Sequence, residues 1–269
     1  MPIRVAITGA SGRMGGRVVH AVRGTPGCAL AGAVDRPGSP VLGKDLGDAV
    51  GLGTLGIRVE EDLRKVIRKA DVIIDFTTPE ASLAHLQDAA RAGVPIVIGT
   101  TGFQESHMKS IRALSKKVPV LLSPNMSVAM NVLFRLAWDA ARILGEEYDA
   151  EIVEMHHRMK IDAPSGTALR LGQEVARAWN EDLRKIAVLR REGVTGERPA
   201  GVIGIQALRG GDVIGDHTLV FAGIGERLEL THRAGSRDNF ARGAVRAAKW
   251  LVRKKRPGLY DMFDVLGLR

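Results

Sequence analysis

The chain has 269 residues with a formal net charge of +9, and its 45% hydrophobic and 26% charged residues are typical of a folded globular protein. This length allows one large or two modest domains. The single cysteine, Cys28, excludes an intrachain disulfide and suits a reducing compartment, so we expect a cytoplasmic location. No membrane span is expected, because Arg135 and Asp139 interrupt the best apolar run, and the first residues predict a strand instead of a signal sequence.

The positive charge makes nucleic-acid binding a function to consider. The basic residues are scattered along the chain, however, and the run from Arg253 to Arg256 has no aromatic residues interleaved as stacking platforms. A solvated helix end, where cations are favoured, explains that run more simply. We therefore predict no nucleic-acid partner. A basic surface would also attract an anionic substrate and cofactor.

The first elements have the order strand, glycine turn and helix. Residues 3–8 predict a buried strand, Gly9, Gly12 and Gly15 follow it, and residues 17–22 have helical spacing. This is the context of a dinucleotide-binding fingerprint, in which the first glycine makes a tight turn, the second admits the pyrophosphate and the third lets helix and strand pack closely. Arg13 and Met14 stand where a side chain would lie along the cofactor.

A second predicted strand, residues 29–34, ends in Asp35 and Arg36. An acid at this position holds the ribose hydroxyls of NAD, whereas an arginine beside it can stack on adenine or pair with the 2′-phosphate of NADP. The alternative to a cofactor contact is that Asp35 is a structural turn residue before Pro37. The predicted cofactor is therefore NADH or NADPH, since Asp35 favours the first and Arg36 leaves the second open.

Strands and helices continue to alternate up to residue 122. Residues 37–56 predict a glycine-rich loop with a short helix near 45–50. The alternation and the nearly continuous apolar strands indicate a parallel, doubly wound sheet. The further strands are 71–76, 95–98 and 118–122, and the further helices are 60–69, 79–92 and 104–117.

Small polar residues follow three of these strands, at the sheet edge where ligands of such folds bind. We expect the three strand ends to contact the cofactor, although Ser, Thr and Gly are also common in ordinary loops of this kind. The three ends comprise Phe76 with the two threonines after it, Gly99 with Thr100 and Thr101, and Ser123 with Pro124 and Asn125.

After a long helix at 128–145 the alternation stops. One helix, 168–179, accompanies several strands, which indicates an open α+β sheet, mostly antiparallel or mixed, with one helical face. The other face would be free to pack against a second copy. The strands are 151–155, 202–208, 213–221 and 227–232.

A final helix at 239–253 and the tail 259–268 have no place in this small sheet, so we expect them to return to the first domain. The predicted architecture is a Rossmann-type α/β domain, residues 1–126 and 237–269, that binds the dinucleotide. Residues 127–236 form an inserted domain for substrate binding and oligomerisation.

Residues 154–167, Glu-Met-His-His-Arg-Met-Lys-Ile-Asp-Ala-Pro-Ser-Gly-Thr, carry the predicted chemistry. The segment places His156, His157 and Lys160 shortly before a helix start formed by Ser165, Gly166 and Thr167, whose free N–H groups attract anions. Each part alone is more often structural, but together they indicate a site for a carboxylate-bearing substrate that must be protonated. If the preceding strand ends at the first histidine, both imidazoles can face the substrate; if it continues, only one can.

These motifs resemble those of the 4-hydroxy-tetrahydrodipicolinate reductase family, and the resemblance covers nearly the whole chain. Three further runs contribute to it: Val-Ile-Gly-Thr-Thr-Gly at 97–102, Arg-Glu-Gly-Val-Thr-Gly-Glu-Arg at 191–198 and Gly-Glu-Arg-Leu-Glu-Leu-Thr-His at 225–232. The resemblance implies a homotetramer of the lysine and diaminopimelate pathway, a small dicarboxylate substrate and hydride from NADH or NADPH. It implies that His156 and Lys160 carry the proton chemistry and that His157, Gly166 and Thr167 bind carboxylates.

The full set of expected contacts follows from the residues and the resemblance together. We also expect Arg237 to reach a second carboxylate, the alternative being an ion pair in a hinge region. No metal site is expected. The cofactor set is Gly9, Ala10, Ser11, Gly12, Arg13, Met14, Asp35, Arg36, Phe76, Gly99, Thr100, Thr101, Ser123, Pro124, Asn125 and Met126.

Two other functions remain open from the sequence. One is a different Rossmann-type reductase that acts on a small anionic substrate. The other is a dinucleotide sensor or nucleic-acid-binding protein without catalysis. The intact His-His-x-x-Lys segment counts against a sensor, because a sensor does not need a proton donor.

Overall fold

Two sheets, each with its own helices, make up the computed structural model, which describes all 269 residues. The twelve strands are β1 Ile3–Thr8, β2 Cys28–Val34, β3 Val59–Glu60, β4 Val72–Asp75, β5 Ile96–Ile98, β6 Pro119–Leu122, β7 Asp149–His156, β8 Ala187–Val188, β9 Ile203–Arg209, β10 Asp216–Ala222, β11 Arg227–Arg233 and β12 Gly258–Tyr260. The nine α-helices are α1 Gly15–Arg23, α2 Leu46–Val50, α3 Pro79–Ala92, α4 Glu105–Leu114, α5 Val128–Leu144, α6 Gly166–Ala178, α7 Leu183–Ile186, α8 Asp238–Leu251 and α9 Met262–Leu266.

The chain divides into two units. Unit 1 contains Met1–Val128 and Arg237–Arg269, and unit 2 contains Ala129–Ser236, so the second unit is inserted between the two segments of the first. None of the helices combines the length and the apolar composition needed to cross a bilayer.

Unit 1 is built on a parallel sheet with the strand order β12-β6-β5-β4-β1-β2-β3. Both faces are buried: Val5 and Ile7 pack on one side with α1 and α8, and Ala6 and Ile73 pack on the other with α3 and α4. Burial on both sides explains why the central strands are nearly continuous apolar runs. The predicted doubly wound parallel sheet is confirmed.

The end of the chain completes this sheet. Strand β12 pairs in parallel with β6, and α8 supplies buried alanines to the core on one face. The segment after residue 236 therefore belongs structurally with the N-terminal strands.

One predicted helix, residues 60–69, is wrong. The segment begins as β3, which pairs with β2, and continues as two 3₁₀ turns, Leu63–Lys65 and Ile67–Lys69. Pairing with β2 holds its first residues extended, and the Asp62 side chain then accepts from the N–H of Arg64 to start a tight turn. The spacing of the buried residues Leu63, Val66 and Ile67 fits a helix, but the backbone forms two short 3₁₀ turns in place of an α-helix.

Unit 2 is built on a mixed sheet with the strand order β11-β10-β7-β9-β8. Strands β7, β10 and β11 are antiparallel, whereas β7, β9 and β8 are parallel. Alternate residues of β7, from Ala150 to His156, are buried beneath α6, which confirms the predicted α+β sheet with one helical face. The short elements α7 and β8 were not predicted.

Adjacent glycines in α1 give a matched test of how the glycine turn packs. A Cβ at Gly15 would lie 2.0 Å from the carbonyl oxygen of Gly9, whereas one at Gly16 would lie 3.6 Å from a side-chain methyl of Val50. Gly15→Ala should lower the free energy of unfolding by about 1–3 kcal/mol, because the backbone must move. Gly16→Ala should range from no change to a gain of about 1 kcal/mol. Urea unfolding of both variants measures this, and equal effects would contradict the packing described.

Candidate active site

The glycine turn of unit 1 presents backbone N–H groups at the start of α1. Gly9 has a φ of +67°, and its carbonyl accepts from the N–H of Gly12 at 2.9 Å. No side chain caps the first turn of α1. An uncapped helix start beside a glycine-rich turn fits the pyrophosphate of a dinucleotide.

Asp35, which follows β2, connects the end of that strand to the glycine turn by a hydrogen bond. Its Oδ2 accepts from the N–H of Ser11 at 2.6 Å and its Oδ1 accepts from the N–H of Arg36 at 2.8 Å. The carboxylate is 7% exposed, whereas the Arg36 side chain is exposed. Each carboxylate oxygen has a second lone pair, so this bracing role is compatible with the predicted contact to ribose hydroxyls.

A buried carboxylate, Asp75, joins the carboxyl ends of β1, β4 and β5. Five side chains donate hydrogen bonds to it. They are Thr8 at 2.7 Å, Thr77 at 2.9 Å, Ser82 at 2.5 Å, His85 at 2.6 Å and Thr100 at 3.0 Å.

Burial alone would raise the pKa of Asp75, but the hydrogen bonds and charge of His85, with the hydroxyls of Ser82 and Thr8, hold it below its ordinary value. Thr100 also accepts from the backbone N–H of Thr77 at 2.9 Å. The network therefore fixes the strand ends expected to contact the cofactor.

The remaining predicted cofactor residues of unit 1 differ in what they can offer. The Phe76 ring covers Gly99, where a Cβ would lie 2.1 Å from the ring. Ser123 is buried and donates to the carbonyl of Asn125 at 2.9 Å. Thr101, Pro124 and Arg13 are exposed, Gly12 is exposed in the turn and Met14 is half-buried. Ala10 and Met126 are each 1% exposed, so their side chains lie in the core and they can offer backbone groups.

The histidine segment of unit 2 starts where β7 ends, at His156. Glu154 and His156 are two residues apart on the strand and therefore share its buried face. His157 lies beyond the strand and is half-buried. This is the arrangement that leaves both imidazoles able to face one ligand.

Glu154 is fully buried and accepts four hydrogen bonds. Arg209 donates to both of its oxygens, at 2.8 and 3.0 Å, and His156 Nδ1 lies 2.6 Å from Oε2. The backbone N–H of Ser165 donates to Oε1 at 2.9 Å. One carboxylate thus joins β7, β9, the imidazole and the start of α6.

Charge in this cluster is set by opposing effects. Burial would raise the pKa of Glu154, but the hydrogen bonds from Arg209, His156 and Ser165 lower it, so the group is an anion. Burial lowers the pKa of His156 more than Glu154 raises it, and the cations Lys160 and Arg209 lower it further. The resting imidazole is therefore neutral, with its proton on Nδ1 facing Glu154 and a free lone pair on Nε2.

Lys160 lies in the loop between β7 and α6. Its ammonium donates to both carboxylate oxygens of Asp162, at 2.8 and 2.7 Å, and its side chain is 19% exposed. Its backbone N–H donates to the carbonyl of His157 at 3.1 Å, which folds the loop back on itself. Arg209 donates to the carbonyl of Asp162 at 2.6 Å and fixes the far side of the loop.

Helix α6 begins at Gly166 with Ser165 as its cap. The Ser165 hydroxyl oxygen accepts from the N–H of Ala168 at 3.1 Å. Apart from its chain neighbours and the backbone of its own helix, no atom lies within 4 Å of the position that a Cβ of Gly166 would take. Thr167 follows in the first turn. The structure therefore brings Glu154, His156 and the helix start together, and leaves open space beside the first residue of α6.

Arg237 is the remaining predicted substrate residue. It lies in unit 1, as the residue that precedes α8, and is half-buried. Its carbonyl accepts from the N–H groups of Phe240 and Ala241, at 3.2 and 3.4 Å.

Comparison with known proteins gives one family for both units. The model of the N-terminal part of dihydrodipicolinate reductase matches residues 3–126, and that of the C-terminal part matches residues 129–266. The chain belongs to the dihydrodipicolinate reductase family. The resemblance inferred from the sequence motifs is confirmed.

The similarity extends over whole chains. A 4-hydroxy-tetrahydrodipicolinate reductase of Anaeromyxobacter dehalogenans is 56% identical over 266 residues, 99% of this chain and 98% of the relative. One from Thiobacillus denitrificans is 55% identical over 269 residues, 100% of both chains. The solved structure of a dipicolinate-bound dihydrodipicolinate reductase from Paenisporosarcina sp. has a TM-score of 0.75 at 26% identity and covers 98% of this chain and 99% of its own.

Sequence reasoning missed several residues of this candidate site. Arg209 and His217 each lie more than 50 residues from their partners along the chain. A signal for His217 existed, because it occupies a buried position of β10 that alternates with Leu219 and Phe221. Nothing in the sequence distinguished Arg209 from the exposed arginines, and the pairing of Asp75 with His85 was not foreseen.

Two aspartates of unit 1 test how much the Asp75 network contributes to stability. Asp75→Asn should lower the free energy of unfolding by about 3–5 kcal/mol at neutral pH, because buried donors and His85 lose an anionic partner. Asp71→Asn, which removes a half-exposed pair with Arg4, should cost less than about 1 kcal/mol.

The Asp75 effect should also depend on pH. Because the folded-state pKa is lowered, the stabilisation is fully present above the unfolded-state pKa of about 3.9 and is lost as the pH falls through the lower folded value. Chemical unfolding of the wild-type chain and both variants, at neutral pH and in acid, measures the difference. Equal costs for the two substitutions would contradict a stabilising role for the network.

Proposed function

We propose that this chain reduces 4-hydroxy-tetrahydrodipicolinate to tetrahydrodipicolinate with NADH or NADPH, a step in lysine and diaminopimelate biosynthesis. The observation that carries the proposal is the cluster in unit 2, where an imidazole held by a buried carboxylate lies on the strand that leads into a lysine loop and an open helix start. Its support from relatives is the 4-hydroxy-tetrahydrodipicolinate reductase name of proteins at 55–56% identity.

The substrate of this reaction carries two carboxylates. We assign one carboxylate to the N–H groups at Gly166 and Thr167, which Ser165 holds in helical geometry, with His157 beside them. Arg237 is assigned to the second carboxylate, since a guanidinium binds a carboxylate through two parallel hydrogen bonds. The similar structure from Paenisporosarcina binds dipicolinate, a ring with two carboxylates.

Bound NADH or NADPH would supply a hydride to an unsaturated ring carbon. Gly9 to Met14 would hold its pyrophosphate, and Asp35 or Arg36 would contact its adenosine end. Phe76, Thr100 and Thr101 with the Ser123–Met126 segment would line the nicotinamide end. Arg36 attracts a 2′-phosphate and Asp35 repels one, so kinetics with both nicotinamides decide the preference.

The proton that follows the hydride would come from His156 or Lys160. The imidazole is neutral at rest, and a bound dicarboxylate would raise its pKa and favour a proton on Nε2, because Glu154 keeps the other proton on Nδ1. A glycine at position 215 leaves this nitrogen uncovered, since a Cβ there would lie 3.0 Å from it. Lys160 would also stabilise the dianion, by about 4 kcal/mol per charge pair at ~4 Å before desolvation.

Substitutions of the proton donors test this function. The wild-type chain should oxidise NADH or NADPH when fresh substrate is added, followed by absorbance. His156→Gln and Lys160→Ala should each lower kcat by about 10²–10⁴-fold, the usual contribution of general acid catalysis. The Kd for the nicotinamide should not change, because neither residue lies in unit 1.

Lys185→Ala, at an exposed lysine of α7 in the same unit, is the matched control and should keep wild-type turnover. Near-normal turnover in both donor variants would refute the assigned roles. A wild-type chain that turns over neither nicotinamide would refute the function itself.

We also propose that the chain assembles as a homotetramer through the face of the unit 2 sheet opposite α6. Val153 and Leu208, which are 38% and 51% exposed, lie on this face, and no helix of the same unit covers them. Light scattering should give four times the mass of one chain. Val153→Lys should reduce that mass, and Val194→Lys, at a fully exposed loop residue, should leave it unchanged. A monomeric wild-type chain would contradict the assembly.

A further inference from the structure

His217 lies outside the segment that carries the predicted chemistry, yet its ring contacts two members of that segment. It pairs with Glu154 across the β7–β10 ladder and is 4% exposed. Its ring packs edge-on against His156, with centroids 5.2 Å apart and an interplanar angle of 79°. Its Nε2 lies 3.0 Å from the hydroxyl oxygen of Ser165. The imidazole therefore connects the end of β7 to the cap of α6.

The hydrogen bonds around Ser165 determine which group donates. The serine oxygen already accepts from the N–H of Ala168, and His217 Nδ1 is buried without a partner. If the serine donates its proton to Nε2, only the Nδ1–H of His217 is left unsatisfied. If His217 donated instead, the serine proton and the Nδ1 lone pair would both lack partners. Because each buried unsatisfied group costs free energy, the serine is the donor.

The ring is suited to accept this proton. Burial, with a smaller contribution from the nearby His156, lowers the pKa of His217 to about 3. The imidazole is therefore neutral throughout the neutral pH range, with a lone pair on Nε2. A charged imidazole could not accept the serine proton, so burial keeps the ring in the form the contact needs.

We propose that His217 is a positioning residue of the substrate site, which accepts the Ser165 hydroxyl proton and thereby fixes the start of α6. A serine hydroxyl rotates to find an acceptor, and its lone pairs rotate with it. With His217 in place, one lone pair stays on the N–H of Ala168, and the N–H groups at Gly166 and Thr167 keep a single orientation. This inference rests on the proposed function, because these groups are the ones assigned to a substrate carboxylate.

Three replacements of His217 separate this role from simple packing. His217→Phe keeps a ring but removes the acceptor, His217→Gln can place an oxygen where Nε2 was, and His217→Asn reaches only the Nδ1 position. The KM for substrate should rise about ten-fold in the Phe and Asn variants, the factor expected for losing one hydrogen bond. It should stay within about three-fold of wild type in the Gln variant. The KM for the nicotinamide should not change in any of them.

Binding of dipicolinate, measured by calorimetry, gives the same comparison without turnover and so separates this inference from the proposed activity. Ser165→Ala should weaken binding by a similar factor. Adding His217→Phe to the Ser165→Ala variant should weaken binding by less than about two-fold more, because both substitutions remove the same hydrogen bond. If the Phe variant does not fold, the Gln and Asn variants decide.

Equal affinity in the Gln and Asn variants would overturn the proposal, as would effects of Ser165→Ala and His217→Phe that multiply. An unchanged KM for substrate in the Phe variant would also overturn it.

Discussion

The ion pair between Glu154 and Arg209 is the interaction on which the candidate site depends. The carboxylate has no exposed surface, and an unpaired charge in such a place would be neutralised or would unfold its surroundings. Two hydrogen bonds from the guanidinium keep it ionised. Because it is an anion, it can also hold the Nδ1 proton of His156 and the N–H of Ser165. The buried Glu154 carboxylate therefore sets both the tautomer of His156 and the position of the first turn of α6.

Unit 1 applies the same principle at the end of a central strand. Asp75 is also fully buried and also has a lowered pKa, but its partners are four hydroxyls and His85 in place of a guanidinium. Asp75 is the last residue of β4, and Glu154 lies two residues before the end of β7, so both carboxylates are close to the points where the chain leaves a sheet and enters a loop. In each unit a buried carboxylate accepts hydrogen bonds from several of the adjacent segments. The residues proposed to contact a ligand are therefore held in place by a carboxylate that does not itself contact the ligand.

Much of the fold could be predicted from patterns within a few residues. The strand at 3–8, the glycine turn and the alternating helices follow from apolar runs and turn residues, and the helix at 79–92 has the predicted bounds. The failure at 60–69 has a physical cause that the pattern cannot contain. The spacing of Leu63, Val66 and Ile67 is helical, but pairing of Val59 and Glu60 with β2 takes the first residues into the sheet.

The sequence by itself determined which chemistry is present: a glycine turn for a dinucleotide, and imidazoles, a lysine and a helix start within one short segment. These signals are local, because the residues that produce them are neighbours along the chain. Only the tertiary structure decided which distant residues contact that segment. Arg209 and His217 reach the segment through the pairing of β9 and β10 with β7. The alternation along β10 marks His217 as a buried position, but the residues of a strand do not specify which distant strand it pairs with.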